Sequence, residues 1–262
     1  SYPILSELRM IKDKTEIDLI QKACDITEKG FRRVLSYIKP NIWEYDIEAE
    51  FIHEFIKNKS KGFAYQPIIA SGINACSLHY NTNNSLCKSG DLILMDVAAE
   101  YSNYKSDMTR TIPVDGKFTT RQLEIYNAVL NVKNKATNIL RPGITINEYH
   151  KEVGKIMESE LIEIKLLDKH DVKKQNPKNP LFKKYFMHGT SHHLGLDVHD
   201  VGNFYVDLSP GNVFTVEPGI YIREENLGVR LEDNILVGED KNYNLMKNIP
   251  ILPEEIEDIM NN

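Results

Sequence analysis

The sequence predicts an α+β fold made of two related halves, about 14–115 and 120–240, within a single domain spanning residues 1–262. Three observations predict it. The elements run helix, helix, strands, and then do so again; short segments repeat between the halves; and each half ends an apolar run in a carboxylate. A chain of 262 residues with 41% hydrophobic side chains supports a sizeable core, because chains of this length bury roughly 70% of their unfolded surface.

Thr15 opens the first helical pattern, with apolar positions at Ile17, Ile20, Cys24, Phe31, Val34, Leu35 and Ile38 and a stop at Pro40. A second amphipathic helix runs from about Asp46 to Lys59, with Ile47, Phe51 and Phe55 one turn apart. A β-rich stretch covers Gln66 to Val114. Thr119-x-x-Gln122 has capping-box form and starts a helix that ends before Arg141-Pro142-Gly143. Thr145-x-x-Glu148 is a second such box and leads a helix to about Leu161. The Lys-rich stretch Lys169–Lys184, with Pro177 and Pro180, reads as a loop. From Phe186 to Val237 the pattern is β again.

The repeat is weak but ordered. Lys39-Pro40-Asn41-Ile42 matches Arg141-Pro142-Gly143-Ile144 at an offset of 102, and Ile47, Phe51 and Phe55 match Tyr149, Val153 and Met157 at the same offset. Gly90–Asp96 matches Gly211–Glu217 at an offset of 121, the Lys-rich stretch absorbing the difference. Two halves about a pseudo-twofold axis account for this order.

The ends of the apolar runs carry the chemistry. Leu92–Met95 reads as a buried strand and terminates in Asp96, which is costly there unless paired, hydrogen-bonded or bound to a cation. A hairpin centred on residues 101–102 would return the chain with Asp107 across from Asp96, and two facing carboxylates repel unless a cation lies between them. In the second half Val213–Val216 ends in Glu217, a Pro218-Gly219 turn follows, and Val229–Leu236 returns. There Val229, Leu231 and Ile235 share one face and Arg230 and Glu232 the other. Any one of these acids alone reads as a surface turn residue or a salt-bridge partner; four, paired at matching places, do not.

His188, His192, His193 and His199 fall within twelve residues, and His79 follows a separate β segment. The Gly-Thr-Ser between His188 and His192 is a poor helix, which excludes a helical metal pair. Leu194, Leu196 and Val198 alternate as in a strand, which separates His192 from His199 unless Gly195 forms a bulge. His193 reads as a bystander.

Composition removes several alternatives. The net charge of −6 and the lack of a Lys/Arg block argue against nucleic acid and anionic membranes as partners. Apolar runs of about five residues fall far short of the ~20 a membrane helix needs. Cys24, Cys76 and Cys87 are odd in number and unpaired in spacing, which points to a reducing compartment and a cytoplasmic protein. The start at Ser1, with no signal peptide, is expected of a trimmed chain.

Five separated blocks resemble the pita-bread metallopeptidases, within them the aminopeptidase P and prolidase branch. They are His188–Asp200, Met95-Asp96-Val97-Ala98, Ser106–Thr111, Thr215–Tyr221 and Gly228–Asp233, in the family's order and spacing. The resemblance spans nearly the whole chain, from Glu7-Leu8-Arg9 to Pro253–Ile256. It implies the pita-bread (creatinase/aminopeptidase) fold, a curved mixed or antiparallel sheet with flanking helices, and a preceding N-terminal domain that this chain lacks. It implies two divalent ions held by Asp96, Asp107, His192, Glu217 and Glu232. Mn²⁺ suits such an oxygen-rich donor set, with Co²⁺ or Zn²⁺ as alternatives. Glu217 is implied as the proton shuttle, His79 and His199 as the groups that steady the tetrahedral intermediate, and His188 and Arg230 as substrate contacts. Arg230 reads equally well as the partner of a carboxylate.

The implied reaction is release of the first residue from peptides with Pro at the second position, by a homodimer or higher homo-oligomer in the full-length protein. A prolidase acting on Xaa-Pro dipeptides, a methionine aminopeptidase and a non-catalytic binding module are the other readings.

Overall fold

The structure, a computed structural model, describes residues 2–262. Seven α-helices are seen among the described residues: α1 (Tyr2–Met10), α2 (Lys14–Leu35), α3 (Glu44–Lys57), α4 (Thr120–Ile139), α5 (Ile146–Glu163), α6 (Lys169–Lys174) and α7 (Pro253–Asn261). The strands are β1 (Ile68–Ser71), β2 (Leu92–Asp96), β3 (Glu100–Tyr101), β4 (Tyr104–Lys105), β5 (Thr109–Pro113), β6 (Val213–Val216), β7 (Gly219–Ile222), β8 (Leu227–Arg230), β9 (Asp233–Leu236) and β10 (Tyr243–Asn244).

The α+β expectation and the helix–helix–sheet order hold in both halves. The strand order is β1-β2-β5 in the first half and β10-β9-β6 in the second, and every paired strand among the described residues is antiparallel. In each half the central hairpin carries a two-stranded extension, β3-β4 or β7-β8. The 121-residue offset aligns Leu92 with Val213, the first residues of β2 and β6. Ile20, Phe31, Phe51, Phe55, Tyr126, Tyr149 and Phe214 are buried between helices and sheets in one continuous apolar cluster.

Helix starts differ from the sequence expectation by one or two residues. Asp13, not Thr15, caps α2, accepting from the Glu16 amide while the Glu16 carboxylate accepts from Asp13. Helix α2 stops at Leu35, short of Ile38, although Ile38 is still buried. Helix α3 begins at Glu44 because the Asp46 carboxylate accepts the Trp43 amide at 2.8 Å. The Thr119 and Thr145 boxes cap α4 and α5 as expected. The Lys-rich stretch is not wholly a loop: Asp168 accepts the amides of His170 and Asp171 and starts the short α6, which buries no side chain. Helix α1 was not foreseen.

Two turns move. Ser102 and Asn103, at φ 51° and 71°, make the first hairpin reversal, so Asp96 faces Thr109, and Asp107 lies two residues further along. A shift of two keeps both acids on one face. Pro218-Gly219 is not a turn: the chain continues into β7 and reverses at Arg223–Asn226, where Asn226 is left-handed.

The stretch from Phe186 is strand-like only in part. Residues 190–194 lie along β6 through Glu217 N to Thr190 O (2.8 Å), Thr215 N to His192 O (3.1 Å) and Leu194 N to Val213 O (3.1 Å). Beyond Leu194 the chain bends back instead of alternating. A Cβ on Gly195 would collide with the Asp200 carboxylate, and one on Gly202 with the His193 ring. Gly195 therefore permits a fold-back, not a bulge.

Candidate metal centre

The two hairpins meet edge to edge, and this junction places the acids. Asn234 on β9 clips the Asp107 backbone, accepting its amide at 3.0 Å and donating to its carbonyl at 2.7 Å. The Glu232 amide donates to the Thr109 carbonyl at 3.0 Å. Asp96, Asp107, His192, Glu217 and Glu232 thereby line one cavity of about 590 Å³, together with His79, His188, His199 and Arg230. The sequence-predicted site residues are all brought together.

Asp107, His192 and Glu232 each present a donor atom within 4.8 Å of the others. His192 Nε2 stands 3.4 Å from Asp107 and 3.5 Å from Glu217. Its Nδ1 donates to the His193 carbonyl at 3.0 Å, which turns Nε2 toward the cavity. One Glu232 oxygen accepts from Thr109 Oγ1 at 2.7 Å; the other is buried without a hydrogen-bond partner. Asp96 accepts from Tyr65 at 2.6 Å and from Arg230 at 2.7 Å.

The charge balance favours a cation. Burial pushes Glu217 up to about 7, and His192 and Arg230 only partly offset burial and the neighbouring acids. Glu232 is driven well above the usual carboxylate range, first by burial and then by Asp107, Glu217 and Asp96. Asp96 rises as well, mainly by burial against the opposing pull of Arg230. Burial would lower His192, yet its hydrogen bond to Asp107 and the adjoining charges raise it to about 9. A buried cluster of oxygen donors, with one orphaned carboxylate oxygen and one imidazole nitrogen whose proton a cation would displace, fits a hard or borderline divalent ion.

A second row of side chains holds these groups. Arg230 donates from Nε to Thr109 at 3.1 Å and from Nη1 to Tyr221 at 2.8 Å, besides gripping Asp96. The Tyr221 hydroxyl lies 2.8 Å from His188 Nε2, and His188 Nδ1 lies 2.8 Å from the Gly189 carbonyl. With Nδ1 donating to that carbonyl, the hydroxyl donates to Nε2, and the proton positions along the chain are set. Burial, with Arg230 adding its charge, pulls His188 down to about 3, so it is a neutral ring at physiological pH. Arg230 is thus a carboxylate partner as well as a cavity wall.

His79 and His199 are exposed side chains on the cavity wall, and the His199 ring stands 4.3 Å from that of His192. The loop bearing His199 is clamped from the N-terminal side: Arg9 and Lys12 face the buried Asp200. His193 lies outside the cavity lining, packed 4.2 Å from Phe214.

Sequence reasoning missed Tyr65, which sits in a stretch with no periodic signal. It also missed the roles of Thr109 and Tyr221, which lie inside the quoted blocks, and of Asn234, one residue past the last of them. Arg110 was missed too. It is fully buried, donating to Asp233 at 2.7 Å and to the Glu232 carbonyl at 2.6 Å, and Lys133 adds a second cation to Asp233.

The sequence model of metallopeptidase family M24 matches residues 18–239. An Xaa-Pro aminopeptidase of Escherichia coli is 40% identical over 272 residues, covering 98% of this chain and 61% of that protein. One from Haemophilus influenzae is 41% identical, covering 99% and 63%. Among solved structures, E. coli aminopeptidase P with the inhibitor Pro-Leu superposes with a TM-score of 0.92 at 40% identity, covering 99% of this chain and 61% of that one. Proline aminopeptidase P II from Yersinia pestis gives 0.90 at 37% identity. The chain spans about three fifths of the length of these relatives.

Proposed function

This chain belongs to metallopeptidase family M24, and on that premise we propose that it is the catalytic domain of an Xaa-Pro aminopeptidase, releasing the first residue of peptides that carry Pro second. The observation that carries the reading is the convergence of Asp96, Asp107, His192, Glu217 and Glu232 on one cavity, alongside the identity to Xaa-Pro aminopeptidases. Its partners in this reading are peptides. Among the described residues no helix is long and apolar enough to cross a membrane. The buried thiols of Cys24, Cys76 and Cys87 suit the cytoplasm. The halves 14–115 and 120–240 form one catalytic unit, and in the full-length protein it works as a homodimer or larger assembly.

The five residues would hold two divalent ions, Mn²⁺ first. When bound, such ions polarise a carbonyl oxygen and acidify a water. Glu217 would take a proton from the attacking water and pass it to the leaving nitrogen. Its carboxylate lies 3.4 Å from Thr215 Oγ1 and 3.8 Å from His188, which limit its swing. His79 and His199 donate to the oxyanion from the cavity wall. Proline is accepted because the Xaa-Pro amide has no N–H, and a site acting on the carbonyl needs none.

Two expected results follow directly. Calorimetric titration of metal-stripped protein with Mn²⁺ gives two ions per chain; none would end the peptidase reading, and one would leave a mononuclear site. The variant His199→Ala keeps its metal content and loses roughly 10²–10³ in kcat, the scale of one lost transition-state donor; loss of metal would make His199 a ligand.

Substrate choice tests the reading itself. Ala-Pro-Ala, Ala-Pro and Ala-Ala-Ala are offered at equal concentration with Mn²⁺, and products are followed by chromatography. Fastest release of Ala from Ala-Pro-Ala supports the assignment. Preference for Ala-Pro means a dipeptidase, and preference for Ala-Ala-Ala refutes the role of proline.

A further inference from the structure

We infer that Glu44, far from the acids in sequence, is a positioning residue that fastens the loop bearing His79 against the cavity. Glu44 is the first residue of α3, and its side chain is fully buried. Five hydrogen bonds reach its carboxylate. Oε1 accepts the Ser71 amide at 2.8 Å, the Ser71 hydroxyl at 2.7 Å and Asn74 Nδ2 at 3.2 Å. Oε2 accepts the Tyr80 hydroxyl at 2.6 Å and the Ser85 amide at 2.9 Å. None of these donors is cationic, so neutral dipoles alone offset a buried charge.

The donors bracket residues 71–85. That segment contains one short helical turn, Gly72–Cys76, and no strand beyond Ser71. Its two ends are gathered onto one carboxylate, and Tyr80 is pulled in beside His79. Leu78 and His79 project from the gathered loop into the cavity. The far side of the loop is fixed by close approach: a Cβ on Gly228 of β8 would collide with the Ala75 carbonyl. The Glu44 backbone adds to the clasp, donating to the Ser85 carbonyl at 3.0 Å. Fixed between α3 and β8, the loop has one placement, and His79 takes its position from it.

A Gln at position 44 keeps the shape, but turns one end of the side chain into a donor facing groups that cannot accept: the Ser85 amide at one end, or the Ser71 amide and Asn74 Nδ2 at the other. The loop must then open. This role rests on the reading of His79 as a group that meets substrate, so the test separates the two. In the full 262-residue chain with Mn²⁺, Glu44→Gln is expected to lower kcat for Ala-Pro-Ala about 10²-fold, the scale of a misplaced group near 1 Å, with metal content and KM nearly unchanged. In a His79→Ala background the same substitution should cost less than about threefold, since its effect passes through His79. Amide exchange should quicken in residues 72–84 and stay slow in α4 and β6. Tyr80→Phe, which removes one bond of the five, gives a milder version of each result and serves if Glu44→Gln does not fold. Equal losses with and without His79, or unchanged exchange in 72–84, would overturn the proposal. A fully active His79→Ala enzyme would overturn the reading of His79, and with it the catalytic consequence of Glu44, while the exchange result still reports whether Glu44 holds the loop.

Discussion

Turnover of Ala-Pro-Ala is expected to fall roughly 10⁴-fold in Glu217→Gln, the upper range for losing a group that transfers a proton in the transition state. The side chain sits at the exit of β6, beside the segment 190–194 that runs along that strand, and its carboxylate is 3.5 Å from His192 Nε2. Gln preserves the volume and one oxygen toward the cavity but cannot take up a proton. Glu217→Ala removes the oxygen as well and should abolish activity together with part of the metal content. Comparing the two separates holding a cation from moving a proton. The measurement is single-turnover cleavage followed by chromatography, with bound metal determined on the same sample. A Glu217→Gln enzyme within tenfold of the parent would assign the proton to another group.

Glu232, in the two-residue link between β8 and β9, and its neighbour Asp233, the first residue of β9, should behave in opposite ways. Asp233→Ala is expected to destabilise the protein by about 3–5 kcal/mol, the usual cost of leaving buried charge without its partner. Asp233 is 1% exposed and faces Arg110 and Lys133, both buried. Burial alone would raise its pKa, but those two cations hold it well below the ordinary carboxylate range. Glu232 lies on the opposite face, among Asp96, Asp107 and Glu217. Glu232→Ala should weaken binding of at least one Mn²⁺ ion while leaving the metal-free protein as stable as before or more so, because it removes a repelled, half-satisfied charge. Urea unfolding in the presence of a chelator reads both. A drop at Glu232 equal to that at Asp233 would show that the two acids share one structural role.

Much of the site was legible in the sequence because its chemistry sits where patterns are strongest. An apolar run that ends in an acid reads as a strand end, and the reading names Asp96 and Glu217 without a structure. Alternation on the expected returning strand separates Glu232 from Asp233; the structure breaks that strand at Leu231 and Glu232, between β8 and β9, yet the two acids still part, Glu232 to the cavity and Asp233 to Arg110 and Lys133. A dense histidine cluster is unusual enough to notice by itself. Loop geometry was harder to read. Alternation at Leu194, Leu196 and Val198 imitates a strand, but the contacts that bend this segment, Gly195 against Asp200 and Gly202 against His193, join residues whose meeting leaves no periodic trace. The hairpin reversal was misplaced because Ser102 and Asn103 carry no glycine to mark a left-handed turn.

Sequence by itself determined which residues could carry charge into the core and which strands they would end, because strand periodicity and burial are local properties. Tertiary structure decided how the acids are satisfied. Arg230 reaches Asp96 across 134 positions, Arg110 reaches Asp233 across 123, and Glu44 gathers donors from 27 to 41 positions away. A buried carboxylate must find donors or cations wherever the packed chain supplies them. That choice is made only when α3, the two hairpins and the loop of His79 come together, so no segment read alone contains it.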